Sequence, residues 1–450
     1  MNFQNEIAPQ NVELNETNLS LANHSLNPNK CFNFDIEFLD KFCKFMNDKS
    51  HISASVTDLV IMQKLCIISK YYRLPINELW INIFAPTGAG KSKAIGDIDD
   101  ICLSKINNEL REKSIEYFKT LSDEDKKNPK EFYQLQHDIE ITTYEALIPT
   151  LNTIKVADIN ADEIEDILEN KDKNALLTSL KKSHGRGSIN APTQKKNYNF
   201  TQGKISEISI YLTMSCTSSF LTKSNYLKHL SNGLFNRGIS VLELKRRRNN
   251  TLSITKMEQE YFQNIFSEYC DFCKKFNDMR IEENFIETHQ IYEDFERYVY
   301  DEMDKFQEPY DALFVRANHQ FKAVCMALFY ASEFQRYKDN PINYKPTNRI
   351  DSTILEKTRD FMLRYTAYYC QIATFSIENK VLDDNIRKIL ETLKNKLSKS
   401  PDGVLLSQLG NDLRPKFIGN ENSNKLKTML EGYVVFNDNG KKIMSIKKNF

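Results

Sequence analysis

The run Ala85-Pro86-Thr87-Gly88-Ala89-Gly90-Lys91-Ser92 sets two glycines, a lysine and a hydroxyl in an order suited to gripping a chain of phosphates. Gly88 and Gly90 let the backbone turn tightly enough for successive N–H groups to face phosphate oxygens. The positive end of a following helix adds to that attraction. Lys91 is then the point charge for the β- and γ-phosphates, and Ser92 the hydroxyl for Mg²⁺. Ala85 stands where glycine is usual, a replacement such loops tolerate. The whole segment is expected to hold ATP with Mg²⁺.

Hydrolysis at such a site needs a carboxylate for the metal and a group that orients the attacking water. Asp162-Glu163, directly after Val156 to Ala161, supplies both, Asp162 for the metal and Glu163 for the water. The plainer reading makes Asp162 the cap of a helix from Glu163 to Leu168, and the preceding run carries Asp158 and Asn160 where such strands are usually apolar. The stretch Ile205 to Met214 ends in Ser215-Cys216-Thr217-Ser218. In ring-forming ATPases a polar residue at that point sits beside the γ-phosphate; Thr217 is the first choice and Ser215 the second. Arg237, within Gly233-Leu234-Phe235-Asn236-Arg237-Gly238, suits an arginine finger, worth on the order of 10³–10⁵ in rate where one operates. Acting on a neighbour's ATP, it requires an oligomer; the alternative is a surface salt bridge. Arg316, ahead of the apolar run Phe321 to Ala331, reads either as a second phosphate sensor or as a structural residue. Lys245-Arg246-Arg247-Arg248 reads as a nucleic-acid contact or a solvated turn. Cys270 and Cys273 lack the further ligands that zinc needs and read as two thiols on a helix.

These groups must be positioned by strands that end beside the loop. Leu79 to Phe84 is a β-rich apolar run leading straight into the glycines, and Lys91 to Leu103 has helical character, the strand–loop–helix context the motif requires. Further strands are expected at Ile139 to Thr143, Val156 to Ala161, Ile205 to Met214 and Ile239 to Leu244, with helices between them and a loop from Gly185 to Asn199. That alternation predicts an α/β core with a largely parallel sheet. Residues 1–30, rich in Asn and Ser, are expected to be disordered. Residues 31–78 form a helical lead-in, 79–249 the core and 250–380 a helical domain with aromatic faces. Residues 384–450 carry short helices followed by a hairpin at Asn439-Gly440, the layout of a winged helix-turn-helix.

The remaining bounds come from composition. The 450 residues carry 61 Lys+Arg and 61 Asp+Glu, which argues against a surface coated in positive charge while leaving room for a local basic groove. The nine cysteines are scattered and odd in number, as in reducing compartments rather than disulfide scaffolds. No basic segment followed by an apolar run opens the sequence, and no apolar stretch approaches the roughly 20 residues of a membrane span. A cytoplasmic location and no membrane partner are expected.

In order and spacing these pieces resemble a family of prophage- and plasmid-borne primase–helicase-like P-loop ATPases whose domain has no assigned function. The resemblance runs from about Phe34 to Ala373. It takes in Leu79-Trp80, the loop PTGAGKS, Thr142 to Leu147, Asp162-Glu163, Gly233 to Arg237 and Arg316-Ala317-Asn318-His319. It implies a RecA/AAA+-like core and a role in replicating a mobile element, with Lys91, Ser92, Asp162, Glu163 and Arg237 in the roles given above; as a motor the chain is expected to form a homo-oligomeric ring. No primase segment precedes the core, so priming would fall to a separate protein. The expectation is a DNA-directed ATPase motor, helicase-like or helicase-loader-like. The locally basic C-terminus (Lys425, Lys427, Lys441, Lys442, Lys447, Lys448) adds DNA as a partner. The alternative is an ATP-dependent regulatory switch on DNA that does not translocate.

Overall fold

A computed structural model describes residues 27–127, 131–140, 142–190, 204–245, 253–282, 285–378, 384–400, 403–412, 426–427, 430, 434–437 and 440–446. Helices α1 (Glu37–Lys49) and α2 (Ala54–Tyr71) come first, then β1 (Trp80–Phe84), α3 (Lys91–Cys102), α4 (Ser104–Thr120) and β2 (Gln136–Asp138). Next are α5 (Tyr144–Ile154), β3 (Val156–Ala161), α6 (Ile164–Glu169) and α7 (Asn174–Ser183). The small strands β4 (Ser188–Asn190) and β5 (Lys204–Ser206) precede β6 (Ser209–Cys216), α8 (Ser224–Ser231) and β7 (Gly238–Leu242). Longer helices follow: α9 (Lys256–Lys275), α10 (Gln290–Met303), α11 (Ala317–Asp339) and α12 (Ser352–Glu378). The chain divides into two compact units, one running to Glu378 and a smaller one from Asn379 to Phe450 that also takes in Thr222–Ser224. The boundaries expected near residues 79 and 250 both fall inside the first unit.

The protein is a mixed α/β chain around a five-stranded sheet of order β2-β3-β6-β1-β7. Every neighbouring pair is parallel. Strands β1, β6 and β7 are buried along their whole length, on both faces of the sheet. The register sets Phe84 opposite Cys216 and Ala161 opposite Met214, so β1, β6 and β3 end at one edge. The carboxyl edge of an open parallel sheet is where ligands bind in α/β proteins.

Helix α2 is buried on all sides from Ala54 to Ser69, as an apolar helix without a hydrophilic face must be. Three of its polar side chains reach partners in other segments. Gln63 Nε2 donates to the carbonyls of Leu79 (2.9 Å) and Leu212 (3.3 Å), and its Oε1 accepts from Thr213 Oγ1 (2.9 Å). Asp58 accepts from Phe32 N (2.8 Å) and Arg364 Nη1 (3.2 Å). Lys64 Nζ lies 2.7 Å from Asp158 in β3 and 2.9 Å from Asp99 in α3. That trio explains the polar residues in β3: Asp158 answers the α2 lysine, and Asn160 Nδ2 reaches Asp99 at 3.5 Å. Residues 27–30, assigned by sequence to the loose N-terminus, are held by Arg364 Nη2 through the carbonyls of Asn27 (3.1 Å) and Lys30 (2.8 Å).

Several element limits differ from the sequence expectation. The strand expected over Ile139 to Thr143 lies at Gln136–Asp138, where it pairs with Asp158–Asn160. The run expected as one strand from Ile205 is two, because Glu207 takes a positive φ of 60° and breaks it. The expected loop after Gly185 contains β4, antiparallel to β5. Helix α6 starts at Ile164, one residue later than expected.

The smaller unit has its own core: Ile389, Leu390 and Leu393 of α13 (Asp384–Leu397) meet Val404, Leu409, Leu430, Val434 and Ile443. After α13 come β8 (Val404–Leu405), α14 (Leu406–Asp412), β9 (Val434–Phe436) and β10 (Lys442–Ile446), in a sheet of order β8-β10-β9. The β9–β10 turn is tied by Asn437 Oδ1, which accepts from Lys441 N (3.1 Å) and Lys442 N (3.0 Å). Most of the helix expected over Asn422 to Leu430 lies outside the described residues.

Candidate functional site

The segment 85–92 joins β1 to α3 at the carboxyl edge of the sheet. Ala85 N donates to Cys216 O at 3.1 Å, tying the loop to the end of β6, and Ala89 N donates to Pro86 O at 3.1 Å. Gly88 and Gly90 hold positive φ of 71° and 86°, the left-handed region that a side chain disfavours. A Cβ on Gly90 would also sit 3.3 Å from His51 Cβ. Gly90 is the N-cap of α3 and brings no side-chain cap, so the first N–H groups of that helix have no partner within it. Thr87, Gly88, Ser92 and Lys93 are exposed at the rim, whereas Ala85, Ala89 and Lys91 are buried. Lys91 Nζ donates to Ala85 O (3.2 Å) and Cys216 O (3.4 Å), which leaves one of its three protons uncommitted to those carbonyls.

The ends of β3 and β6 bring the remaining groups. Ser92 Oγ donates to the Asp162 carboxylate, so these two oxygen donors, 70 residues apart in sequence, stand together at the mouth of the loop. Asp162 therefore engages the loop rather than capping α6, whose N-cap is Glu163 with no side-chain cap bond. Glu163 is exposed with φ of 51°, and its carboxylate has no bond among the described residues. Thr217 is the first residue past β6; its N–H donates to Glu165 Oε1 at 2.7 Å, and its hydroxyl donates to the same oxygen. Glu165 was not anticipated from sequence. The acidic run Asp162-Glu163-Ile164-Glu165-Asp166 was the available signal, but only the turn into α6 selects which member faces Thr217. Ser215, the second choice beside Thr217, is buried inside β6 opposite Ile83. Burial and then the Glu165 charge push the Cys216 thiol well up while Lys91 pulls it down, so both groups act on the same strand end.

Arg237 is elsewhere. It closes the short turn Phe235–Arg237 just before β7, beside Trp80 in register, at the opposite edge of the sheet from the loop. A five-residue strand spans about 16 Å, too far for Arg237 to reach a phosphate held in its own loop. Its Nε donates to Lys181 O at 3.2 Å and its Nη1 to Gly233 O. Gly233 holds a positive φ of 82°, which a side chain disfavours, and a Cβ there would displace that Nη1. Burial, then the charges of Arg316 and Arg186, bring Arg237 down to about 10. Arg316 is the N-cap of α11 on this same side. Of the basic run, Lys245 is described and Arg246 to Arg248 lie outside the described residues, as do Lys425, Lys447 and Lys448. Cys270 and Cys273 are buried thiols on α9.

Among the described residues no group of three or more His, Cys, Asp or Glu side chains could hold a metal ion. Mg²⁺ needs no such cage, since it keeps several waters and binds through one or two carboxylates and substrate phosphates. The paired hard oxygens of Ser92 and Asp162 at the start of α3 suit it.

Fold and site together define a mixed α/β protein with a glycine-turned loop between a central parallel strand and a helix. No family model matches the chain, and no curated protein matches it. One solved structure to which it is similar is described as "SCCmec type IV Cch - active helicase": the identity is 11%, the TM-score 0.33, and the match covers 88% of this chain and 67% of that one. A likeness at that level leaves the functional reading to the geometry above. Among the described residues no helix is long and apolar enough to cross a membrane.

Proposed function

We propose that the chain is a P-loop ATPase with a RecA/AAA+-like core, acting on DNA as a helicase-like or helicase-loader-like motor in mobile-element replication. The observation that carries the ATPase reading is the meeting of Ser92 with Asp162 beside Lys91, three strand ends brought to one glycine-turned loop. The loop amides and Lys91 bind the phosphate chain of ATP, and Thr217 stands at the end of β6 for the terminal phosphate. Mg²⁺, held by Ser92 and Asp162, would supply charge neutralisation at the β- and γ-oxygens. A water oxygen bonds to the γ-phosphorus as the bond to the ADP oxygen breaks, and the carboxylate of Glu163 accepts the water's proton. Arg237, out of reach of its own loop, serves a nucleotide on another copy, which makes the working form a ring or another homo-oligomer. DNA as the partner rests on the family resemblance and on a winged-helix reading of the smaller unit, where Lys427, Lys441 and Lys442 are basic. A separate protein would supply any primase.

The test is ATP turnover by the wild-type chain and Lys91→Ala, each with single-stranded DNA, duplex DNA or none. The expected result is turnover that rises with single-stranded DNA and falls at least about a hundredfold in Lys91→Ala. Turnover indifferent to both DNAs overturns the motor, and no turnover in the wild type overturns the ATPase.

A further inference from the structure

The hydroxyl of Thr217 has one proton to give, and it is already spent on a carboxylate. Glu165 Oε1 accepts both the Thr217 N–H, at 2.7 Å, and the Thr217 hydroxyl. Ser219 Oγ lies 2.9 Å from Thr217 Oγ1 and, with the threonine proton on Glu165, is the donor in that pair. Immediately before Thr217 is Cys216, whose carbonyl accepts from Lys91 Nζ and from Ala85 N. A half-buried negative charge therefore stands one residue along the backbone from the lysine and the loop.

A hydroxyl donating to a carboxylate cannot donate the same proton to a phosphate oxygen, and a carboxylate in that place repels a terminal phosphate. We propose that Glu165 is a latch on Thr217, a positioning residue that a nucleoside triphosphate must displace and a diphosphate leaves engaged. The latch rests on the nucleotide reading given above and adds to it the discrimination between tri- and diphosphate. The supporting geometry is asymmetric. Asp162, at the end of β3, is engaged by Ser92 of the loop. Glu165 rides on the first turn of the six-residue helix α6, beyond the positive-φ residue Glu163, where a small rotation of the helix carries it off Thr217. Opening the latch frees the Thr217 hydroxyl in the same movement that withdraws the charge.

The experiment is calorimetric titration of the full chain with the Mg²⁺ complexes of ADP and of a non-hydrolysable ATP analogue. The variants are Glu165→Gln, Glu165→Asp, Thr217→Val and the double variant Glu165→Gln/Thr217→Val. Glutamine keeps the shape and an acceptor oxygen while removing the charge. The triphosphate is expected to bind Glu165→Gln about tenfold more tightly, mostly because a neutral amide oxygen holds the Thr217 hydroxyl less strongly than a carboxylate and yields it to the phosphate, with relief of charge repulsion adding to it. Diphosphate binding stays within about twofold, and Glu165→Asp keeps the wild-type preference. In the Thr217→Val background the Glu165→Gln gain should shrink markedly, because contacting residues couple. A change equal for both nucleotides, or a gain undiminished without the threonine hydroxyl, overturns the latch. A wild-type chain that binds neither nucleotide overturns the reading beneath it, a result distinct from the other two.

Discussion

Lys64→Met would remove the cation of a buried trio and leave Asp99 and Asp158 facing each other between α2, α3 and β3. The side chains of Lys64 and Asp158 are 0% exposed and that of Asp99 6%, so water cannot take over the lysine's part. Breaking such a pair from one side costs about 3–5 kcal/mol. Protonation sets an independent ceiling. Carrying a carboxyl from an unfolded pKa of about 3.9 to a neutral folded form at pH 7 spans about 3 pH units at about 1.4 kcal/mol each, or about 4 kcal/mol. The two figures agree if one of the carboxyls takes up a proton and donates it to the other. The sign of the pH dependence follows. Burial, with Asp99 adding to it against the pull of Lys64, already pushes Asp158 up to about 6, and losing Lys64 raises it further. A raised carboxyl stabilises the fold below its unfolded pKa, and that stability is lost as pH rises through the folded value. The variant's deficit should therefore shrink by about 2 kcal/mol between pH 7.5 and pH 6, below which Asp158 is protonated in both chains. Urea unfolding followed by tryptophan fluorescence measures this. Trp80 is the chain's one tryptophan, buried at the start of β1 with its indole N–H on Ile210 O at 2.7 Å, and so reports the sheet directly. A deficit below about 1 kcal/mol at pH 7.5, or one that does not change at pH 6, would refute the account.

Gly90→Ala places a Cβ at φ 86° and 3.3 Å from His51 Cβ. It should destabilise by about 1–2 kcal/mol and abolish the rise in melting temperature that the proposed nucleotide binding predicts for the wild type with MgATP. Asn82→Leu removes an amide whose Nδ2 donates to Phe235 O (2.8 Å), Gly238 O (3.3 Å) and Ser240 Oγ (2.8 Å). A loss of about 2–4 kcal/mol by chemical denaturation is expected, with the Arg237 turn loosened in hydrogen exchange. Glu78 accepts from Gly185 N and Ile210 N at 2.9 Å, and burial pushes it from 4.5 up to about 7. The wild type should lose up to about 3 kcal/mol of stability as pH rises between those values, and Glu78→Gln should flatten that slope in denaturant midpoints taken across the range.

What the sequence made legible was local. The glycine-turned loop needs only its own eight residues and the strand and helix that flank it, and the structure has β1 and α3 where the pattern of Leu79 to Leu103 put them. Asp162 could be nominated because, with Glu163, it directly follows the expected strand Val156 to Ala161. Lys64 could not, since its partner Asp158 is 94 residues away and a single lysine in an apolar helix carries no mark of what it meets. Glu165 was hidden for a related reason: its value depends on the turn at Glu163, where a positive φ redirects the chain. The misplacement of β2 has another cause. Ile139 to Thr143 has the better strand composition, but an edge strand is defined by backbone pairing, and Gln136–Asp138 is what lies against β3.

Helix α2 has a practical consequence for anyone dissecting this protein. A truncation starting at Trp80 would keep the whole glycine-turned loop with Asp162 and Thr217 yet strip the inner lining of the sheet. The carbonyl of Leu212 would lose the Gln63 amide, and Asp158 its ammonium. The loop-bearing sheet cannot be lifted out as a cassette. Deletions from the amino end should become costly well before α2, because they first strip the partners of Arg364 and Asp58 and then the buried face of α1.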